Sequence, residues 1–281
     1  MNRLIFIHGR SQQDRLQPDI LNEWTDAWNL GLAAGGLALT DVVDIALPFY
    51  GDTLDEMSRL PRAAVTADEL AFKRQILEEM AAARGITPAT IARTYRVTRP
   101  PRPRGPLNWE WVQAILRALD EKTGFGDDML DRFTHDVYVY LKQPPVRRAV
   151  DALVAAAFKP GRSVVVGHSL GSVVGYNVLR AIDKDVDVVR YVTVGSPLGI
   201  RAIQGLLVQP LEMPACVRDW YNAMDERDVV ALRPLDAATF PVRPPVRNKT
   251  SVKNKTKNRH GISGYLDDRD VAKEIFSALP S

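Results

Sequence analysis

One serine has the neighbours that a nucleophile in acyl transfer requires. Ser169 stands at the centre of a Gly-x-Ser-x-Gly motif, made by Gly167, His168, Ser169, Leu170 and Gly171. A serine at the apex of a sharp strand-to-helix turn projects its hydroxyl, and the residues two before and two after it come too close for a Cβ. The N-terminus of the following helix favours developing negative charge. The spacing therefore predicts a nucleophilic serine.

The sequence around this motif agrees with such a turn. The valine-rich run Ser163–Val166 predicts a buried strand, and the run from Ser172 to Ile182 carries apolar residues at helical spacing. The bare motif arises by chance in roughly one chain in ten of this length. Its context is therefore what predicts a strand, a turn with Ser169 at its apex, and a helix.

Three segments resemble the lipase- and esterase-type serine hydrolases of the α/β-hydrolase superfamily. Val166–Gly171 is similar to their nucleophile elbow, Ile5–Gly9 to the strand that ends in their oxyanion loop, and Tyr191–Leu198 to the strand after the elbow. The resemblance covers about residues 3–50 and 145–275 and does not extend to the middle of the chain. It implies an α/β-hydrolase fold, with a mostly parallel sheet, helices on both faces and no cofactor.

In this fold the catalytic residues follow the order serine, carboxylate, histidine along the chain. Of the histidines at positions 8, 135, 168 and 260, only His260 follows Ser169, so the resemblance makes it the general base. We expect His135 to be an unremarkable histidine of a helix in the middle segment. His260 precedes a glycine in a late loop, where related hydrolases carry their base.

The residue that orients His260 is expected after a strand that lies between Ser169 and His260. Asp225 and Asp228 both follow the strand-like run Val217–Tyr221. Asp228 precedes two valines, which matches the family pattern better. We therefore predict Asp228 as the acid and keep Asp225 as the alternative, with Asp236 a further one.

An oxyanion hole needs two backbone N–H groups. The resemblance implies Leu170, directly after the nucleophile, and Arg10, after the oxyanion-loop residues His8 and Gly9. The side chain of Arg10 is left open, since it could meet an anionic substrate group, a carboxylate of the middle segment or solvent. Residues expected to shape the turn and the loop are His8, Gly9, Gly167, His168 and Gly171.

The elements that must position these residues are those of an α/β domain. Strands alternating with helices predict a doubly wound parallel sheet. Strands are predicted at Leu4–Ile7, Asp41–Leu47, Ser163–Val166, Val188–Val194 and Val217–Tyr221. In the first half of the core, Trp24, Trp28 and Leu32 recur at a four-residue spacing that indicates an amphipathic helix. Further helices are predicted at Val146–Phe158 and Asp267–Leu279.

The middle of the chain differs from this pattern. It carries helix-like segments without a buried strand, at Ala67–Arg84, Trp109–Leu119 and Asp127–Leu141. The Pro/Arg segment Arg99–Pro106 is expected to be extended. We predict that residues 1–50 and 144–281 form the core and that residues 51–143 form an inserted helical cap or lid. The alternative is that these helices only cover one face of the sheet.

The composition excludes several classes of site. The chain has 281 residues and one cysteine, Cys216, which rules out an intrachain disulfide and a Cys-based structural zinc site. No metal-ligand spacing and no phosphate-cradling glycine loop follows a strand, so no cofactor is expected. No apolar run approaches the roughly 20 residues of a membrane span. Leu4–Ile7 is too short for a signal sequence, so we expect a cytoplasmic protein.

The net charge is +3, but its distribution is uneven. Basic residues concentrate in Arg93–Arg104, expected to be extended, and in Arg243–Arg259, expected to be an edge strand plus a loop. Aromatic residues for base stacking are sparse there, so nucleic acid is not an expected partner. An anionic membrane surface or an acidic substrate group remains open.

These features together predict a serine hydrolase that cleaves small-molecule or lipid acyl esters through an acyl-enzyme intermediate. Two alternatives stay open. The chain could be a binding or regulatory protein that keeps a hydrolase scaffold without turnover, or an acyl-lipid hydrolase recruited to membranes by its basic runs.

Overall fold

The computed structural model describes residues 3–10, 12–39, 42–59, 65–98, 109–182 and 185–279. Its strands are β1 (Arg3–Ile7), β2 (Asp44–Ala46), β3 (Gly161–His168), β4 (Val186–Val194), β5 (Trp220–Ala223) and β6 (Arg247–Lys249). They form one parallel sheet in the order β2-β1-β3-β4-β5-β6. The predicted class, α/β with a parallel sheet flanked by helices, is confirmed.

The helices that precede β3 are α1 (Gln17–Ala34), α2 (Gly51–Arg59), α3 (Ala67–Ala83), α4 (Pro88–Thr98), α5 (Trp109–Thr123), α6 (Asp127–Lys142) and α7 (Pro144–Ala155). Those that follow it are α8 (Leu170–Ala181), α9 (Arg201–Gln204), α10 (Ser263–Leu266) and α11 (Arg269–Ala278). A single 3₁₀ turn, Pro197–Gly199, precedes α9. Within the described ranges, no helix is both long enough and apolar enough to cross a bilayer.

The two faces of the sheet support separate apolar cores because side chains alternate along a strand. Leu4 and Phe6 of β1 point into the core formed with α1 and α11, where Trp24 and Trp28 are buried. The intervening Ile5 belongs to the larger core on the opposite face. The expected amphipathic helix is therefore present, and it covers one face of the sheet.

The segment between β2 and β3 is helical where it is described, and it packs on the larger core. Phe133 of α6 and Ile115 of α5 share one continuous apolar cluster with Ile5 of β1 and Val173 of α8. These helices thus cover one face of the sheet, and α6 also reaches the site described below. Whether residues 51–143 form a separable cap stays a prediction.

Among the elements that differ from expectation are the short helices α9 and α10, the strand β5, which begins at Trp220 rather than Val217, and two longer helices. The helices α2 and α4 were not predicted, and α4 shows that the first basic run is helical rather than extended as far as Thr98. Thr87 explains the start of α4, because its hydroxyl accepts the N–H of Thr90 at 3.2 Å, and the buried Ile91 anchors the helix. The expected extended segment Arg99–Pro106 lies outside the described residues.

The second basic run contains the expected edge strand, β6. Its cations are paired: Arg247 contacts Asp219 and Glu274, and Lys249 contacts Asp270. Short, charged edges of this kind discourage pairing with another chain.

Trp28 tests how α1 is held on the sheet. It is fully buried, and its indole Nε1 donates to the carbonyl oxygen of Ala272 in α11 at 3.2 Å. Trp28→Ala should lower the free energy of unfolding by about 3–5 kcal/mol, since it removes a large core side chain. Leu30→Ala, on the exposed face of α1, should change it by less than about 0.5 kcal/mol. Urea unfolding would measure both, and equal losses would contradict this packing.

Candidate active site

The backbone of Ser169 is strained at the junction of β3 and α8. Its φ of 52° and ψ of −128° lie where non-glycine residues are rare and cost about 1–3 kcal/mol. Its N–H donates to the carbonyl oxygen of Val194 at 3.2 Å, and its own carbonyl accepts the hydroxyl of Ser172 at 2.6 Å. Hydrogen bonds on both sides of the peptide therefore hold the turn in place.

The two glycines of the motif are required by close approach. A Cβ on Gly171 would overlap the carbonyl oxygens of Ile7 and His8. A Cβ on Gly167 would lie 2.8 Å from the Cα of Ser172. The spacing of the motif predicts close approach at both glycines: at Gly167 the chain folds back against the first turn of α8, and at Gly171 that turn lies against the end of β1.

Ser169, His260 and Asp228 lie in a hydrogen-bonded row. The Oγ of Ser169 is 2.9 Å from Nε2 of His260, and Nδ1 of His260 is 2.7 Å from Oδ2 of Asp228. An imidazole that donates from Nδ1 to a carboxylate leaves Nε2 able to accept a proton. The structure thus brings together the three residues that the sequence places 91 and 32 positions apart.

Asp228 is fully buried and accepts several hydrogen bonds. Oδ2 accepts from His260 and from the hydroxyl of Tyr265 at 2.6 Å, and Oδ1 accepts the N–H of Val230 at 2.9 Å. Burial works against the charged carboxylate, but its electrostatic interaction with His260 and these donors outweigh it and lower the pKa of Asp228. The carboxylate is therefore held ionised beside the imidazole.

The alternative acid, Asp225, has a different role. Its carboxylate accepts the N–H of Arg227 at 2.8 Å and the N–H of Asn254 at 2.9 Å. It also forms an ion pair with the Arg227 guanidinium at 3.2 Å. Asp225 thus ties the loop after β5 to the loop that precedes His260. The further alternative, Asp236, caps its own turn by accepting the N–H of Ala238 at 2.9 Å.

The histidines at positions 8 and 168 orient backbone around this row. His8 accepts the N–H of Tyr50 at Nε2, so Nδ1 donates to the carbonyl of Gly9 at 2.7 Å. His168 donates from Nε2 to the carbonyl of His260 at 2.8 Å. Burial lowers the pKa of His8 to about 4, and burial together with the electrostatic interaction with His260 lowers the pKa of His168 to about 3. Both are therefore neutral structural groups.

The loop after β1 approaches the serine closely. A Cβ on Gly9 would lie 3.0 Å from the Cβ of Ser169, so the next residue, Arg10, follows directly beside the serine. Leu170 is the first residue of α8, and its N–H belongs to the helix N-terminus. The guanidinium of Arg10 pairs with Asp136 of α6 at 2.8 Å. Of the three environments left open for that side chain, the structure has a carboxylate of the middle segment.

A cavity of about 320 Å³ opens onto Ser169 and His260. The segment between β2 and β3 supplies one wall of it. That wall is apolar and consists of Phe125, Met129 and Phe133, with Trp24 of α1 beside it. His135 does not line this cavity, and its Nδ1 lies 2.7 Å from the carboxylate of Glu69.

Three residues of the site were not predicted. Tyr265 donates to Asp228, Asn258 accepts the N–H of His260 at 3.1 Å, and Gly195 leaves room for both catalytic candidates. A Cβ on Gly195 would lie 3.3 Å from Oδ2 of Asp228 and 3.3 Å from Cε1 of His260. Of these three roles, only that of Gly195 had a signal in the sequence, which was a glycine directly after the predicted strand. Within the described ranges, the structure gathers no group of three or more metal-ligating side chains.

The neutral state of His8 predicts a dependence of stability on pH. The histidine has its ordinary pKa in the unfolded chain but a pKa of about 4 in the folded one, so unfolding takes up a proton between those values. The stability that comes from this difference is fully present above the unfolded pKa and is lost as the pH falls towards 4. Between pH 6 and pH 5 the loss is about 1.2 kcal/mol.

His8→Gln, whose amide can also donate and accept, should remove this loss while other groups keep theirs. Urea unfolding of both proteins at these two pH values measures it. Identical pH slopes for the wild-type protein and the variant would contradict a buried neutral His8.

Comparison of the chain with family models, with curated proteins and with solved structures finds no match.

Proposed function

We propose that this chain is a serine hydrolase of the α/β-hydrolase type that cleaves carboxylic esters. The observation that carries the proposal is the row Ser169–His260–Asp228, with hydrogen-bond distances of 2.9 and 2.7 Å. A serine hydroxyl becomes a nucleophile when an oriented imidazole accepts its proton. Here the serine also stands at the N-terminus of α8, where developing negative charge is favoured.

The reaction follows from this geometry. Nε2 of His260 takes the proton as Oγ of Ser169 bonds to the acyl carbon, and the charge on Asp228 stabilises the imidazolium. The N–H groups of Leu170 and Arg10 stabilise the oxyanion, at about 3–4 kcal/mol for one such donor. The carbon–oxygen bond to the alcohol then breaks, and the alcohol leaves with the proton of His260. Water activated by His260 releases the acid and regenerates Ser169 by the same steps.

The cavity favours a neutral ester of modest size as the substrate. Its charged lining residues are paired, Arg10 with Asp136 at 2.8 Å and Glu23 with Arg15 at 2.8 Å. Its apolar wall suits an acyl chain or a ring, since apolar groups gain from leaving water. A volume of about 320 Å³ lies at the small end of ligand pockets. We infer a small-molecule acyl ester rather than a long-chain lipid.

Labelling with a fluorophosphonate tests the nucleophile. Wild-type protein should form an adduct on Ser169, and Ser169→Ala should form none. Asp228→Asn should label at least about 100-fold more slowly because the imidazole loses its orienting carboxylate. The matched control, Asp225→Asn, should label within about threefold of wild type, since the Asp225 carboxylate contacts only Arg227 and Asn254. Mass spectrometry locates the adduct, and a time course gives the labelling rate, for the wild-type protein and the three variants. A folded wild-type protein without an adduct would contradict the proposal. Slow labelling of Asp225→Asn alone would assign the role of the orienting acid to Asp225 instead of Asp228.

Replacement of Phe133 tests whether the acyl group of the substrate binds against the apolar wall of the cavity. Phe133→Leu should raise kcat/KM for longer acyl esters relative to shorter ones by roughly tenfold, because the cavity gains about the volume of one methylene. Phe72→Leu is the matched control, since Phe72 is also buried in the helical segment but does not line the cavity. A chain-length series of nitrophenyl esters measures the ratio. Equal shifts in the two variants would contradict an acyl group on this wall.

A further inference from the structure

Arg84 connects the helical segment to the loop that carries Asp228. It follows α3 as the C-cap residue, and its guanidinium donates from Nη1 to the carbonyl oxygen of Glu226 and from Nη2 to that of Asp228. The planar fork of arginine suits two acceptors fixed relative to each other, and a lysine cannot reproduce it. Arg84 therefore holds the main chain of the residue that orients His260.

The charge of Arg84 also lies beside the Asp228 carboxylate. The charged or titratable groups that interact electrostatically with Asp228 are Arg84, His168, His260 and Tyr265, and Asp225 interacts in turn with Arg84 and Tyr265. Burial lowers the pKa of Arg84, and the negative charges of Asp228 and Asp225 work in the opposite direction. A half-buried cation is less screened than one in open solvent, so its effect on the Asp228–His260 pair persists in salt.

A second contact from α3 shows that the Arg84 contact is distinct from general packing. Glu79, five residues earlier, accepts the N–H groups of Arg201 and Ala202 at 3.2 and 3.1 Å. It also accepts from the Arg233 guanidinium at 2.8 Å. The end of α3 thus contacts the chain after β4 through both Glu79 and Arg84, and of these two residues only Arg84 touches the Asp228 main chain.

We propose that Arg84 is a positioning residue for the hydrolase, one that holds the Asp228 loop in register with His260 through two carbonyl hydrogen bonds. This inference rests on the proposed function. The helical segment then contributes to the catalytic centre, because one of the groups that position Asp228 comes from that segment and not from the sheet.

The test compares four variants of the full chain. Arg84→Gln removes the charge and the fork, and Arg84→Lys keeps the charge without the fork. Glu79→Gln loosens the other attachment of α3, and Arg74→Gln changes an ion pair with Glu78 on the exposed side of the same helix. For each variant we would measure kcat and KM for a neutral activated ester across the acid limb of the pH profile, the fluorophosphonate labelling rate and the free energy of unfolding.

Arg84→Gln should lower kcat about tenfold with KM changed less than about twofold, because a displaced acid affects the reaction more than binding. Its acid limb should move to higher pH by about half a unit, since removing a nearby cation favours protonation of the pair. Arg84→Lys should restore the position of the limb while kcat stays lowered. Glu79→Gln should lower stability without moving the limb, and Arg74→Gln should change neither.

A folded Arg84→Gln with the kcat and acid limb of wild type would overturn the inference. So would a limb shift of the same size in Glu79→Gln, which would indicate general loosening. If Arg84→Gln does not fold, Arg84→Lys becomes the test of the inference. A wild-type kcat in Arg84→Lys would overturn the role of the two guanidinium hydrogen bonds. A wild-type protein that does not label on Ser169 would instead remove the proposed function, and with it this inference.

Discussion

The strained peptide at Ser169 is the constraint on which the rest of the site depends. A φ of 52° at a serine persists only where its surroundings fix it. Three adjacent strands do so here. The N–H of Ser169 at the end of β3 is bound by the carbonyl of Val194 in β4, and the next turn of backbone, at Gly171, lies against the carbonyl oxygens at the end of β1. The order β1-β3-β4 in the sheet is therefore what positions the serine hydroxyl.

The same edge of the sheet supplies the partners of Ser169, as expected where the carboxyl ends of parallel strands meet. The loop after β1 brings Gly9, the residue after β4 is Gly195, and the loop after β5 brings Asp228. The helical segment completes the arrangement from outside the sheet, with Asp136 bound to Arg10 and Arg84 bound to the Asp228 main chain. The hydrogen-bonded row and the cavity beside it are thus built jointly by the sheet and this segment.

Residue types and spacing predicted Ser169 because the motif needs a particular turn, and the chain order of the resembled family pointed to His260, the one histidine that follows Ser169. The family pattern favoured Asp228 over Asp225 without excluding Asp225, since both leave β5 in one short loop and differ in which way the carboxylate faces. Tyr265 and Arg84 contact Asp228 across 37 and 144 residues of chain, so no local pattern marks them. The helix α4 was missed because its basic residues suggested an extended run, whereas the buried Ile91 anchors it.

The most direct test of the account is a crystal structure of the wild-type protein after reaction with a fluorophosphonate. We expect phosphorus bonded to Oγ of Ser169, with one phosphoryl oxygen about 2.7–3.1 Å from the N–H groups of both Leu170 and Arg10. His260 should stay within hydrogen-bond distance of Asp228 in that adduct. Phosphorus on another side chain, or a phosphoryl oxygen that points to solvent away from both amides, would contradict it.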